Sequence, residues 1–332
     1  MNTTATIEEG RKHPAALPML FFAEMWERFC FYGMRALLVL YMTKGFLGYG
    51  DARAYEIYGS YNSMVYLTPI LGGLLADRLL GYRRSIFLGG ALMAVGMFML
   101  LVESTLFFYG GLAFIIVGNG YFKPNISTLL GKLYPDNSPH RDAGFGYFYM
   151  GINIGAFSST LICGWIGENI GWMYGFLLAG LGMLAGLVVF QAGKNKLHGQ
   201  GEIPSESAYK KWAIPVMIGS IAVVPLIMWL LKGEDLVLNL LSVTAVVVLG
   251  YLLFAYFKEE KVQRQRMWVI LALIPFHTLF WSLFEQAGSS LTLFTDRNVD
   301  RDIFGFTFPT TWGQFFNPLF IVALTPVFAW LW

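Results

Sequence analysis

Charge is scarce in this chain. Asp, Glu, Lys and Arg make up 13% of its 332 residues, against roughly 25% in a soluble protein. That scarcity excludes a fully solvated surface, and with 56% hydrophobic residues it marks a polytopic membrane protein. The net charge of +2 gives no reason to expect a nucleic-acid partner. Cysteine is nearly absent: Cys30 and Cys163 lie in separate apolar segments, and no CxxC or His/Cys cluster suggests a metal, a cofactor or a disulfide. No HExxH and no Ser–His–Asp pattern is present, which weighs against an intramembrane enzyme. The polar N-terminus, with Glu8, Glu9, Arg11 and Lys12, leads into no apolar run with a small-residue cleavage site, so no cleaved signal peptide is expected.

What is present is a series of ten apolar stretches long enough to cross a bilayer. They lie at 17–43, 55–76, 85–103, 107–130, 145–166, 172–192, 212–231, 236–257, 267–294 and 312–332. With the N-terminus cytoplasmic, fifteen basic residues fall in inside segments. Five fall outside (Lys44, Arg53, Lys232, Arg297 and Arg301), and Arg28, Arg35 and Lys123 lie within spans. This distribution follows the positive-inside rule. The segment at about 193–211, rich in Gly, Ser and charge, reads as a cytosolic linker closing a six-helix unit. The last stretch reaches Trp332 with no polar or basic anchor, so the sequence reads as a partial chain, expected not to transport by itself.

The first stretch holds Glu24, Glu27, Arg28 and Arg35. A charge at mid-bilayer costs roughly 2.5–3.5 kcal/mol on insertion scales, so these groups must pair inside protein or along a water-filled path. At about 100° per residue, Glu24, Arg28 and Arg35 fall within about 40° of one another, with Glu27 about 60° to the other side. Such a stripe fits a proton relay better than a mere packing network. Lys123 sits in the middle of the fourth stretch beside Pro124, where proline weakens the helix, and needs a carboxylate from Glu24, Glu27 or a bound substrate. Glu285 lies deep in the ninth stretch with Trp281 one turn earlier on the same face, a ring wall beside a polar handle. His277, near the start of that span, reads as a satisfied core histidine. Tyr149 and Asn153, four apart on one face, and Asn317 before Pro318 are cavity candidates, while Gly144, Gly146, Gly151 and Gly155 permit close helix packing. In the tight loop after the second stretch, Asp77 precedes Arg78, Arg83 and Arg84, which suits a breakable latch between helices.

These residues resemble known patterns. Gly73-x-x-x-Asp77-Arg78-x-x-Gly81-x-Arg83-Arg84 resembles the loop motif of the major facilitator superfamily. Glu24-x-x-Glu27-Arg28-Phe29 with Tyr32-Gly33-Met34-Arg35, the run FYMGINIGAF at 148–157, and Trp281-x-x-x-Glu285-Gln286 resemble the proton-dependent oligopeptide transporters. The resemblance implies an all-α membrane protein of the major facilitator fold. It places a six-helix bundle at 1–192, a linker with two additional helices at 193–262 as in bacterial members, and the first two helices of a second bundle at 263–332. It implies inward symport of protons with di- and tripeptides in a bacterial inner membrane, in direct contact with the lipid bilayer.

By the same resemblance, Glu24, Glu27, Arg28, Lys123 and Glu285 couple protons, and Arg35 with Lys123 receives the peptide carboxylate. Tyr32, Tyr66, Tyr149, Asn153, Trp281 and Asn317 line the cavity. Three departures stand out. Phe31 replaces an aromatic that often carries a hydroxyl, Gly59 occupies the position of a histidine found in animal members, and the acid of the tenth family helix falls beyond Trp332. Coupling is therefore expected to rest on carboxylates. Uptake of another anion such as nitrate, or substrate sensing without transport, are the alternatives.

Overall fold

The computed structural model describes residues 13–135, 137–233 and 236–331. Glu8, Glu9, Arg11, Lys12 and Trp332 lie outside the described residues. In hydrocarbon every backbone group must be satisfied within its own segment, which leaves helices as the solution for an apolar chain of this pattern. The described residues are accordingly almost all helical: α1 (Leu17–Lys44), α2 (Asp51–Leu75), α3 (Tyr82–Met99), α4 (Thr105–Lys132), α5 (Arg141–Asn169), α6 (Trp172–Gly193), α7 (Glu206–Ala222), α8 (Val224–Lys232), α9 (Leu236–Lys258), α10 (Lys261–Phe284), α11 (Ser290–Asn298) and α12 (Phe316–Leu331). One two-residue hairpin, β1 (Asp302–Ile303) against β2 (Phe306–Thr307), interrupts them.

Local chemistry sets the ends. A proline at the first turn starts α1, where its missing N–H costs nothing. Ser205 caps α7 by accepting from the Ala208 N–H at 3.3 Å. Pro124 does not break α4, which runs unbroken from Thr105 to Lys132. Asn125 Nδ2 donates to the Tyr121 carbonyl at 2.7 Å, supplying a side-chain donor beside the one that proline lacks.

Helix α1 lies at the centre, packed against α5 and α6 and, more lightly, α2 and α4. Helices α3 and α4 pair along their length, α2 lies on α4, and α3 reaches α6. Among the described residues, seven helical segments, with α7 and α8 counted as one, are long and apolar enough to cross a membrane. Charged α1 is not among them and depends on its neighbours for burial, with Leu37, Leu38 and Met34 fully enclosed. Close approach requires glycine where α5 crosses α1: a Cβ on Gly155 would stand 2.3 Å from the Met25 carbonyl oxygen. Overpacking of this kind costs about 1–3 kcal/mol or more. Gly155→Val is therefore expected to lower the midpoint of thermal unfolding in detergent by several degrees. An unchanged midpoint would show that α5 moves aside freely.

The expected ninth span is two pieces. Helix α10 stops at Phe284, a 3₁₀ turn covers Glu285–Gly288, and α11 begins at Ser290. The break falls at the Glu-Gln-Ala-Gly sequence, where Gly288 packs against the Tyr58 hydroxyl and the Arg35 guanidinium with no room for a Cβ. The expected seventh stretch also divides, at Val223 between α7 and α8, where Pro225 follows in the first turn.

Candidate functional site

The stripe on α1 is buried and paired. Arg28 is held between two carboxylates: Nη2 donates to Glu27 Oε1 at 2.7 Å, Nε to Glu27 Oε2, and Nε lies 3.2 Å from Glu24 Oε1. Its guanidinium also stands 5.2 Å from the centre of the Phe31 ring. Glu27 accepts a further bond from Asn119 Nδ2 of α4 at 3.3 Å and is fully enclosed. Glu24 Oε2 and Asn119 Oδ1 find no hydrogen-bond partner among the described residues. Two acids share one arginine here, so neutralising one carboxylate still leaves Arg28 compensated.

A second group sits two turns further along α1. Arg35 Nη2 donates to Glu285, and Arg35 Nε donates to the Tyr58 hydroxyl at 2.7 Å. Glu285 also accepts from Asn62 Nδ2 at 2.9 Å and from the Tyr66 hydroxyl at 3.3 Å. One carboxylate is thus gathered by α1 and two turns of α2. Lys123 reaches over the Tyr66 ring, with Nζ 4.7 Å from its centroid, and forms no ion pair among the described residues. Glu24, Glu27, Arg28 and Glu285 all act on it electrostatically. Tyr66 therefore stands between the two groups, its ring under Lys123 and its hydroxyl on Glu285. The Tyr32 ring lies 5.9 Å from the Arg35 guanidinium carbon.

At the end of the bundle holding the α1–α2 connection, a set of polar ties closes the same elements together. Arg297 makes two bonds to Asp51, at 2.6 and 2.8 Å, and Lys44 pairs with Asp296 at 2.5 Å. Glu168 of α5 accepts from the Thr310 and Thr311 N–H groups, both at 2.8 Å, and from the Thr311 hydroxyl at 2.7 Å. The carboxylate thereby occupies the positive end of the 3₁₀ turn at Thr310–Gln314.

With this geometry in view, comparison with known proteins is decisive. The POT family model matches residues 83–332. The chain belongs to the POT family. It is 37% identical over 363 residues to the peptide transporter YePEPT of Yersinia enterocolitica subsp. palearctica serotype O:3 (strain YE-P4), covering 100% of this chain and 70% of that one. It is also 37% identical over 334 residues to the uncharacterized transporter YclF of Bacillus subtilis (strain 168), covering 96% and 68%. A crystal structure of a peptide transporter POT in complex with sulfate superposes with a TM-score of 0.83 at 36% identity, covering 96% of this chain and 68% of that one. A bacterial homologue of the human drug peptide transporters superposes with a TM-score of 0.87 at 31% identity, covering 95% and 71%. The POT chain has the major facilitator fold, is an integral membrane protein with multiple spans, and belongs to a family of transporters rather than enzymes.

Several residues of this POT chain lie elsewhere than their spacing in the sequence led one to expect. Lys123 pairs with no acid among the described residues and rests on an aromatic ring instead. Glu285 terminates α10 rather than sitting mid-helix, and its carboxylate is taken by Arg35 rather than by Lys123. His277 is exposed, against the edge of Trp281 at 5.9 Å, and is no core residue. Trp281 packs on His277, Phe280 and Phe284 rather than on the Arg35 group. Asn153 is buried but donates its amide to the Tyr149 carbonyl at 2.8 Å, and Tyr149 is half exposed. Asn317, on α12, is exposed and takes no part in either group. In the loop motif, Asp77 accepts from the Tyr82 hydroxyl at 2.5 Å rather than pairing with an arginine. A Cβ on Gly73 would stand 3.8 Å from Pro124 Cβ, and Arg78 is exposed.

The sequence reading missed Tyr58, Asn62, Asn119, Glu168 and Asp296. A signal existed for two of them: Tyr58, Asn62 and Tyr66 recur every four residues along one face of α2. Asn119 offered only a single amide among glycines.

Proposed function

We propose that the protein is a proton-coupled symporter of di- and tripeptides, moving its substrates inward across a bacterial inner membrane with its N-terminus in the cytoplasm. One observation carries the reading. Arg35, the group best placed to receive a peptide's terminal carboxylate, is already held by a carboxylate of this chain, Glu285. Peptide and Glu285 compete for one guanidinium, and a proton on Glu285 resolves the competition in the peptide's favour. A neutral carboxyl gives up most of its attraction to a cation, so protonation releases Arg35 for the substrate, and proton and peptide enter together.

The inner group works in parallel. Protonation of Glu27 loosens Arg28, leaving Glu24 to hold it and letting the charge around Lys123 redistribute. Lys123 then turns from the Tyr66 ring to the same peptide carboxylate. Tyr32 and Tyr66 border that position, and Tyr149, Asn153, Trp281 and Asn317 supply more distant walls. The ties from Asp51, Lys44 and Glu168 to the segment at 296–311 lie on the extracellular side in this orientation, so they seal the site from outside and leave it facing the cytoplasm. Alternating access follows from rocking of the α1–α6 unit against the helices that begin with α10, about a site near mid-bilayer. Each state must bind substrate and proton differently, and the Arg35–Glu285 pair supplies that difference.

Dipeptides competing for proton-driven uptake of a labelled dipeptide, measured in liposomes of the full-length protein, test the substrate class. Competition by di- and tripeptides and none by nitrate or single amino acids is expected. Competition by nitrate alone would replace the peptide reading with an anion one. Binding without uptake would indicate a sensor.

A further inference from the structure

The cytosolic connection after α6 is built into the loop motif rather than hanging from it. Arg83, the second arginine of the motif to follow Asp77, spends its side chain on that connection: Nε donates to the Gln200 carbonyl at 2.7 Å and Nη1 pairs with Glu202. Its backbone N–H donates to the Gly201 carbonyl at 3.0 Å. The next arginine, Arg84, lies over the Tyr209 ring of α7 at 4.3 Å. The approach is close from both sides. A Cβ on Gly81 would stand 2.4 Å from the Glu202 carbonyl oxygen, and a Cβ on Gly201 would stand 2.9 Å from Leu129 of α4. Gly81 and Gly201 both hold positive φ, +72° and +79°, which other residues rarely adopt. Both glycines lie in the contact between the α2–α3 loop and this connection, and a side chain on Gly81 would meet the Glu202 backbone itself. A flexible linker needs none of this.

We propose that residues 199–202 are a tether that positions Arg83 and fastens the α2–α3 loop to α7, so that the added α7–α8 pair moves with the α1–α6 unit during transport. Gln200, Gly201 and Glu202 are positioning residues: they touch no substrate and act through Arg83. Asp77 is left to Tyr82, and the motif's acid and its arginine serve different partners. Helix α7 also touches the turn at Ala76–Leu80, and α8 lies on α4 and α2 at their other end, where Arg53 donates to the Lys232 carbonyl at 2.7 Å, so the α7–α8 pair is fastened to the bundle at both ends. The tether's part in the cycle rests on the transport reading above, while its geometry does not.

The test uses the full-length protein with Glu202→Lys and Glu202→Asp, read in two ways. For uptake, Glu202→Lys is expected to lower the maximal rate of proton-driven peptide transport at least fivefold with KM unchanged, and Glu202→Asp to keep at least half of it. For geometry, spin labels at Phe87→Cys on α3 and Ser207→Cys on α7, both exposed sites, are expected to give a narrow distance distribution. That distribution broadens in Glu202→Lys and stays narrow in Glu202→Asp. A narrow distribution with Glu202→Lys overturns the tether. So does a maximal rate that Glu202→Lys leaves intact, a rise in KM alone, or an equal loss with Glu202→Asp. If the parent protein carries no peptide, the proposed function fails and the spin-label distances still decide the tether.

Discussion

Arg35→Ala is expected to reduce peptide uptake at least a hundredfold, both under an imposed proton gradient and in counterflow exchange. The expectation combines two losses. Removing one partner of a buried ion pair costs about 3–5 kcal/mol, because the other charge is left behind in the protein. Glu285 retains Asn62 and Tyr66, and its side chain is 20% exposed, which places the penalty at the lower end. The substrate also loses its guanidinium, and a hydrogen bond to a charged group is worth about 1.5–3 kcal/mol. A hundredfold needs only about 2.7 kcal/mol. Exchange fails with accumulation because binding itself is impaired. Arg35→Lys keeps the charge without the planar fork that reaches Glu285 and Tyr58 together, so an intermediate loss is expected. Initial rates of labelled dipeptide entry in both modes provide the check, and near-parental exchange by Arg35→Ala would remove Arg35 from the substrate site.

Glu27→Gln separates the two modes. Glutamine keeps the shape and still accepts from Arg28, which now donates to Glu27 at 2.7 Å, but it has no proton to exchange. Proton-driven accumulation is expected to fall at least tenfold, while counterflow, which needs no net proton movement, keeps at least a third of its rate. Parallel assays on one liposome preparation measure both. Full accumulation by Glu27→Gln would sink its assigned role. Glu24 remains as the second acid on Arg28 at 3.2 Å, which is why the arginine is not orphaned and the variant is expected to fold.

The helical architecture was legible because bilayer energetics act on single segments: a long apolar run must be a helix, and its ends fall near the first charges. The α1 stripe was legible for the same reason, since four charges inside one span demand partners. Which partners they take was not. Arg35 found Glu285, 250 positions away, because the helix holding Glu285 ends just before it and a 3₁₀ turn with Gly288 lets the chain press against Tyr58 and Arg35. No periodicity carries that break. Lys123 needed a carboxylate by charge arithmetic alone, yet an aromatic face serves a cation as well, and Tyr66 supplies it. His277 and Trp281 share a helix face with Glu285 on an ideal spiral, but α10 buries no residue on any face, so the spiral alone does not tell what they touch. The motif arginines carried a topological signal in the sequence. That Arg83 serves residues 200–202 depends on a loop conformation set by glycines at positive φ.

The central claim is that a proton and a peptide cross on the same acid–base cluster. The most direct measurement is internal pH, followed with a trapped dye in liposomes of the full-length protein while a neutral dipeptide is added outside under a potential that is negative within. Acidification that starts with the dipeptide, and disappears in Glu27→Gln, is the predicted result. Dipeptide entry with no acidification would contradict the account.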